Sequence, residues 1–125
     1  MTNTASFGVE PYIFVTDIEA VLPFYVSQLG FQLAISQGGP AQFAQVTRQS
    51  ARLNLRRVDS PVLDPIRREA EELLSATVTV DDINGVYAEF SAAGVSFFQH
   101  LHTAQWGART FIVRDPEGNL IMFAA

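Results

Sequence analysis

An α+β fold of two tandem βαβββ modules, forming a cupped mixed β-sheet with helices on its outer face, is predicted by three features of this 125-residue chain. The first is an internal repeat: Val80-Asp81-Asp82-Ile83, Val86 and Phe90 restate Val15-Thr16-Asp17-Ile18, Val21 and Tyr25 at a separation of 65 positions, about half the chain. The second is that the repeated unit combines a strand, a capped helix and further strands. The third is the final stretch, where two β-branched and aromatic runs flank Asp115-Pro116-Glu117-Gly118-Asn119. Pro presets the entry of that turn and Gly takes a positive φ at its exit, so the stretch reads as a β-hairpin.

Taken in order, Pro11-Tyr12-Ile13-Phe14-Val15 is a short strand. Thr16-Asp17 offers an N-cap for the helical spacing Ile18, Val21, Leu22, Tyr25, Leu29, and Gly30 is the C-cap. Pro23 lies a turn inside that helix and should kink it or remove a hydrogen bond. Strand runs 31–35, 42–46 and 51–56 follow, broken by Gly38-Gly39-Pro40 and Arg48-Gln49-Ser50, which makes a meander. Asp64-Pro65-Ile66 then caps a short helix decorated by Arg67, Arg68, Glu69, Glu71 and Glu72. The organisation expected is one domain: module 1 at about residues 8–57, a linker with this helix at 58–74, and module 2 at 75–125.

Composition narrows the function. The content is 48% hydrophobic and 11% aromatic, enough for one core and little more. A net charge of −5 and a pI near 4.8 argue against nucleic acid or an anionic membrane as partner, because phosphates select basic patches. Cysteine is absent, which removes disulfides, thiolate metal sites and Cys nucleophiles. All eight basic residues are Arg, so no lysine can form a Schiff base. Met1-Thr2-Asn3-Thr4-Ala5-Ser6 has no leader pattern and no run is long enough to span a bilayer, giving the expectation of a cytoplasmic protein.

The segment Trp106-Gly107-Ala108-Arg109, the Asp-Pro-Glu-Gly-Asn turn and the apolar strand Leu120-Ile121-Met122-Phe123 together resemble the C-terminal signature of the vicinal oxygen chelate superfamily, which includes glyoxalases, bleomycin-resistance proteins and extradiol dioxygenases. The likeness extends from Pro11 to Phe123. It implies a homodimer with ligand clefts between subunits, and in metal-dependent members one His, Gln or Glu ligand at a cup-facing position on each of four strands. Those positions fall here on Glu10, Asn54, Ser75 and Met122. Of these Glu10 is a good ligand and Asn54 a marginal one; a thioether and a serine hydroxyl do not replace imidazole or carboxylate. The chain is therefore expected to bind no metal and to use no cofactor.

Strand alternation assigns the cup-facing residues. Ile13 and Val15 go under the helix and Tyr12 and Phe14 into the cup. Arg52, Asn54 and Arg56 oppose Leu53 and Leu55; Ser75, Thr77 and Thr79 oppose Ala76, Val78 and Val80; Leu120 and Met122 oppose Ile121 and Phe123. Trp106 is either core or a stacking wall beside the cup. Arg109 pairs either with a ligand anion or, structurally, with Asp115 or Glu117. Asp17, Asp82 and Asp115 read as caps and turns.

The candidate ligand-binding set is thus Tyr12, Phe14, Arg52, Asn54, Trp106, Arg109, Phe111 and Met122. The function expected is metal-independent binding of a small aromatic or cationic, antibiotic-like molecule, as in the bleomycin-resistance branch. The alternative is a lyase, isomerase or dioxygenase-like enzyme of the same superfamily, with either an atypical metal site of Glu10, His100 and His102 or a metal-free general base. His100 and His102 are spaced to share a strand face, but without a third ligand they read as two histidines at a loop mouth.

Overall fold

The computed structural model describes residues 5–125; of the N-terminal stretch read above, residues 1–4 lie outside the described part. Strands β1 (Tyr12–Val15), β2 (Gln32–Gln37), β3 (Phe43–Arg48) and β4 (Ala51–Arg57) form one sheet in the order β1-β4-β3-β2. Strands β5 (Leu74–Thr79), β6 (Phe97–Thr103), β7 (Arg109–Arg114) and β8 (Leu120–Ala124) form a second in the order β5-β8-β7-β6. In each the first strand runs parallel to the last and the other pairs are antiparallel. The sequence repeat is thus a repeat of topology, with edge strands β1 and β5 meeting at the seam.

Helix α1 (Ile18–Pro23) starts at Asp17, whose side chain accepts from the Ala20 N–H, and α3 (Ile83–Ala92) starts at Asp82, which accepts from Gly85 N–H. Each satisfies an orphan donor of the first turn. Pro23 ends the α-winding, and residues Phe24–Gln28 continue as a π-helical turn with Leu29 N–H donating to Phe24 C=O at 2.9 Å. A proline supplies no N–H to the helical ladder, and the chain adapts by rewinding rather than breaking. Gly30 closes the segment at φ +73, a backbone state that costs glycine little.

Ile13, Val15, Leu53, Leu55, Phe111, Val113, Ile121 and Phe123 belong to one apolar core with residues of α1 and α3. Alternation therefore places these residues on the helix side, as read from the sequence for β1, β4 and β8. Phe111 is the correction. It is fully buried between Phe90, Phe97, Phe123 and Tyr87, so it packs under α3 and does not line the cup.

The terminal hairpin joins the two modules. Asp115 Oδ1 accepts from the N–H groups of Glu117 and Asn119, and its Oδ2 accepts from the Tyr25 hydroxyl and the Asn119 amide. Glu117 reaches across to accept from Thr16 N–H (2.7 and 2.9 Å) and Asp17 N–H (3.0 Å), and the Asn119 amide donates to Phe14 C=O at 3.1 Å. A five-residue turn of module 2 thereby supplies the acceptors for the entry of α1. On the helix side Arg48 makes a two-pronged ion pair with Glu89.

The linker helix α2 (Pro65–Ala70), capped by Asp64 as read from the sequence, lies across the inner face of the second sheet. Glu69 pairs with Arg114, Glu72 meets Gln99, and Arg68 Nη1 donates to Glu117 C=O. Gln99 and Arg114, the residues that Glu72 and Glu69 reach, are the strand-register partners of Ile112 and Leu120, and these two are fully buried although they stand outside the main core.

Candidate functional site

The inner faces of the two sheets differ in chemistry, and the strand registers show it position by position. In module 1, Tyr12 and Gln45 flank Asn54 on neighbouring strands. In module 2, Thr77 and Ile112 flank Met122. One inner face is polar and aromatic; the other carries the apolar patch of Ile112, Leu120 and Met122, bordered by Gln99 and Arg114, which the linker contacts.

The module 1 face carries a connected polar cluster. Gln45 Nε2 donates at 3.0 Å both to Glu10 Oε1 and to Asn54 Oδ1, and Asn54 Nδ2 donates to Glu10 Oε1 at 3.3 Å. Arg52 stands 3.7 Å from Glu10 Oε2. Asn54 is 3% exposed, held by neighbours on both sides, which fixes its amide orientation. Around it Tyr12 (50% exposed) and Phe14 (40%) present their rings outward, with Phe43 6.2 Å from Tyr12 between centroids and Arg56 exposed alongside. The sequence list missed Gln45. A two-residue turn at Gln49-Ser50 pairs Arg48 with Ala51 and so puts Gln45 opposite Asn54, a count available from the hairpin alone.

Oxygen acceptors and amide N–H donors next to two half-exposed aromatic rings can hydrogen-bond the polar edge of a flat ligand and cover its face, and Glu10 can meet a cation. As a metal centre the set is poor: one carboxylate and two amides, already bonded to one another. Among the described residues no three His, Cys, Asp or Glu side chains converge. A bulge between Leu74 and Ala76 takes Ser75 out of the alternation, so that Thr77, and not Ser75, stands beside Met122.

The remaining candidates are dispersed. Trp106 (70% exposed) sits on the β6–β7 turn, at the edge of the second sheet far from the seam, and is not joined to the Tyr12–Asn54 cluster. Arg109 contacts Thr103 Oγ1 and Asn84 Oδ1, both at 3.4 Å. The ion pair with Asp115 or Glu117 does not form among the described residues: Arg109 opens β7 and the turn follows its far end, a separation of about 20 Å along an extended strand. His100 Nδ1 lies 2.7 Å from the Tyr87 hydroxyl on α3, whereas His102 Nδ1 meets His100 C=O. A bulge between Gln99 and His102 breaks the alternation that would have set the two rings side by side.

A second concavity, a cleft of about 660 Å³, opens at the seam between the Gln49-Ser50 turn and the start of α3, with Phe31, Val78 and Val86 in its wall. It occupies the place that the Asp115–Asn119 turn fills in the other half of the repeat; the module 1 turn is too short to reach.

Comparison with known proteins accords with this geometry. The family model described as the glyoxalase/bleomycin resistance protein/dioxygenase superfamily matches residues 6–123. A bleomycin resistance protein of Geobacillus stearothermophilus is 29% identical over 127 residues, covering 90% of this chain and 92% of that protein, and one from Staphylococcus aureus gives the same figures. Among solved structures, the bleomycin-binding protein of Streptomyces verticillus in complex with copper(II)-bleomycin is 26% identical with a TM-score of 0.74, covering 97% of each chain. TioX from Micromonospora sp. ML1, 24% identical with a TM-score of 0.74 over 95% of this chain and 98% of its own, shares the fold. A match across nearly the whole length, on a fold of two repeated βαβββ modules, makes this chain a member of the glyoxalase/bleomycin resistance protein/dioxygenase superfamily.

Proposed function

We propose that the protein binds a small aromatic or cationic molecule of the bleomycin kind, without a metal of its own, as a single ligand-binding domain that pairs into a homodimer in the cytoplasm. The observation that carries this reading is the inner face of module 1, where the Glu10–Gln45–Asn54 cluster lies beside the half-exposed rings of Tyr12 and Phe14. The relatives named for bleomycin resistance or bleomycin binding support it. A homodimer accounts for Trp106 and Arg109: both are exposed and remote from the cluster within one chain, and a partner would bring its own copies to the open face. No helix among the described residues is long and apolar enough to cross a membrane.

Calorimetric titration with bleomycin, metal-free and copper-loaded, tests the proposal. Saturable binding is expected, and Tyr12→Ala or Asn54→Leu should weaken it by about tenfold, the equivalent of roughly 1.4 kcal/mol. Wild-type binding that ignores both substitutions would refute the site. Sedimentation at increasing concentration tests the dimer.

A further inference from the structure

We propose that α2 is a detachable strap over the second module's half of the cup, and that a ligand gains the apolar face of Ile112, Leu120 and Met122 by lifting it. The inference rests on the ligand-binding reading above and assigns the inner face that reading left covered.

Three observations converge on it. The only buried side chain of α2 is a charged one: Arg68 is 3% exposed, while Ile66, on the same helix, points to solvent. A helix docks firmly through an apolar stripe, and here there is none. Second, Arg68 is poorly provided for in its buried place. Nη1 donates to Glu117 C=O at 3.1 Å, and among the described residues Nε has no partner and no carboxylate lies within ion-pairing distance. A buried guanidinium without a counter-charge opposes the closed state. Third, the other ties are half-exposed polar contacts, Glu69 to Arg114 and Glu72 to Gln99 at 3.5 Å, a class of contact that contributes little.

What lies underneath is suited to a ligand. Ile112 and Leu120 are fully buried and Met122 partly so, on a sheet face with no place in the main core. Lifting the strap frees an apolar platform beside the polar cluster of module 1 and returns Arg68 to water. The compound class this selects is amphipathic: a flat apolar body over Ile112, Leu120 and Met122, with hydrogen-bonding or cationic groups towards Glu10 and Asn54. The closed strap keeps the apolar face from water when no ligand is bound.

Two measurements decide it. Hydrogen exchange without ligand should show the amides of Arg68, Glu71 and Leu73, which close the α2 turns, exchanging at least about a hundredfold faster than those of β7 and β8, as a local opening requires. Arg68→Met, which removes the unpaired charge, should slow them. The chain has no cysteine, so Glu72→Cys with Gln99→Cys can be joined by a short bis-maleimide, with a monofunctional maleimide as control. Holding the strap closed should weaken bleomycin binding by more than about tenfold relative to the control, because the competent state is no longer populated. Exchange in α2 as slow as in β7, or unchanged affinity after cross-linking, would overturn the strap. Absence of bleomycin binding in the wild-type chain would count against the ligand assignment instead, and the ligand-free exchange would still decide the strap.

Discussion

The hydroxyl of Tyr25 donates a 2.7 Å hydrogen bond to Asp115, a residue of the other module, at a site closed to solvent. Burial, more than the adjacent Asp115 and Glu117 charges, pushes the phenol well above its ordinary value. The bond holds the turn of one module to the helical segment of the other, so it is a contact on which the pairing of the two halves depends.

Tyr25→Phe should therefore cost about 1–2 kcal/mol, the loss of a hydrogen bond to a buried charged acceptor. The sign of the pH dependence follows from the raised pKa. The contribution is complete below the unfolded phenol's value near 10 and is lost as pH rises from there through the folded value, because the unfolded chain releases the proton first. Urea titrations of wild type and Tyr25→Phe should differ at pH 8 and converge above pH 10. A constant gap across that range would contradict the assignment.

Glu117→Ala should destabilise by about 1–2 kcal/mol. Its carboxylate accepts from Thr16 and Asp17 N–H at the start of α1, and no side chain of module 1 stands in for it there. Glu117→Gln keeps one oxygen acceptor and should lose less. The ordering Ala below Gln below wild type in urea midpoints is the check.

These two contacts also mark where sequence reasoning stopped. The repeat, the caps at Asp17, Asp82 and Asp64, and the terminal hairpin were legible because helix entry and turn chemistry are local. Glu117 looked like a turn residue, and nothing near it in sequence shows that its carboxylate is used 100 positions away. Phe111 was misassigned because both faces of β7 are apolar: Phe111 and Ile112 are equally hydrophobic, so alternation cannot say which goes under α3. Arg68 in a charged linker reads as solvated, and only its docking over the second sheet buries it. At the site, alternation correctly put Tyr12, Phe14 and Asn54 on one face. It failed at Ser75 and His102, where bulges shift the register.

The Arg48–Glu89 pair predicts an acid-side effect. Hydrogen bonding to Arg48 holds the Glu89 carboxyl below its ordinary range, and the guanidinium is raised chiefly by the same bond. The stability from Glu89 is present above the unfolded carboxyl's value and is lost as pH falls through the lowered folded value. Both side chains are partly exposed, so the coupling should be about 0.5–1 kcal/mol. A double-mutant cycle with Arg48→Met and Glu89→Gln at pH 7, repeated at pH 3, should show the coupling only at the higher pH.

Phe111 and Tyr12 offer the sharpest separation of fold from function, since both are aromatic strand residues, Phe111 on an interior strand and Tyr12 on an edge strand, and the proposed site gives them opposite duties. Phe111 stacks on Phe123 at 5.2 Å and meets Phe90 and Phe97 edge-on, so Phe111→Ala should remove about 3–5 kcal/mol of stability. The milder Phe111→Leu should stay folded, with a lowered urea midpoint and unchanged affinity for bleomycin. Tyr12 is half-exposed with its ring beside Phe43; its truncation leaves no closed cavity, and Tyr12→Ala should shift stability by less than about 1 kcal/mol. The same substitution removes one aromatic wall of the proposed site, so affinity should fall while the fold stays intact. If Phe111→Leu lost the ligand and Tyr12→Ala kept it, the binding surface would be on the helix side of the sheet, and the assignment of the inner face would be reversed.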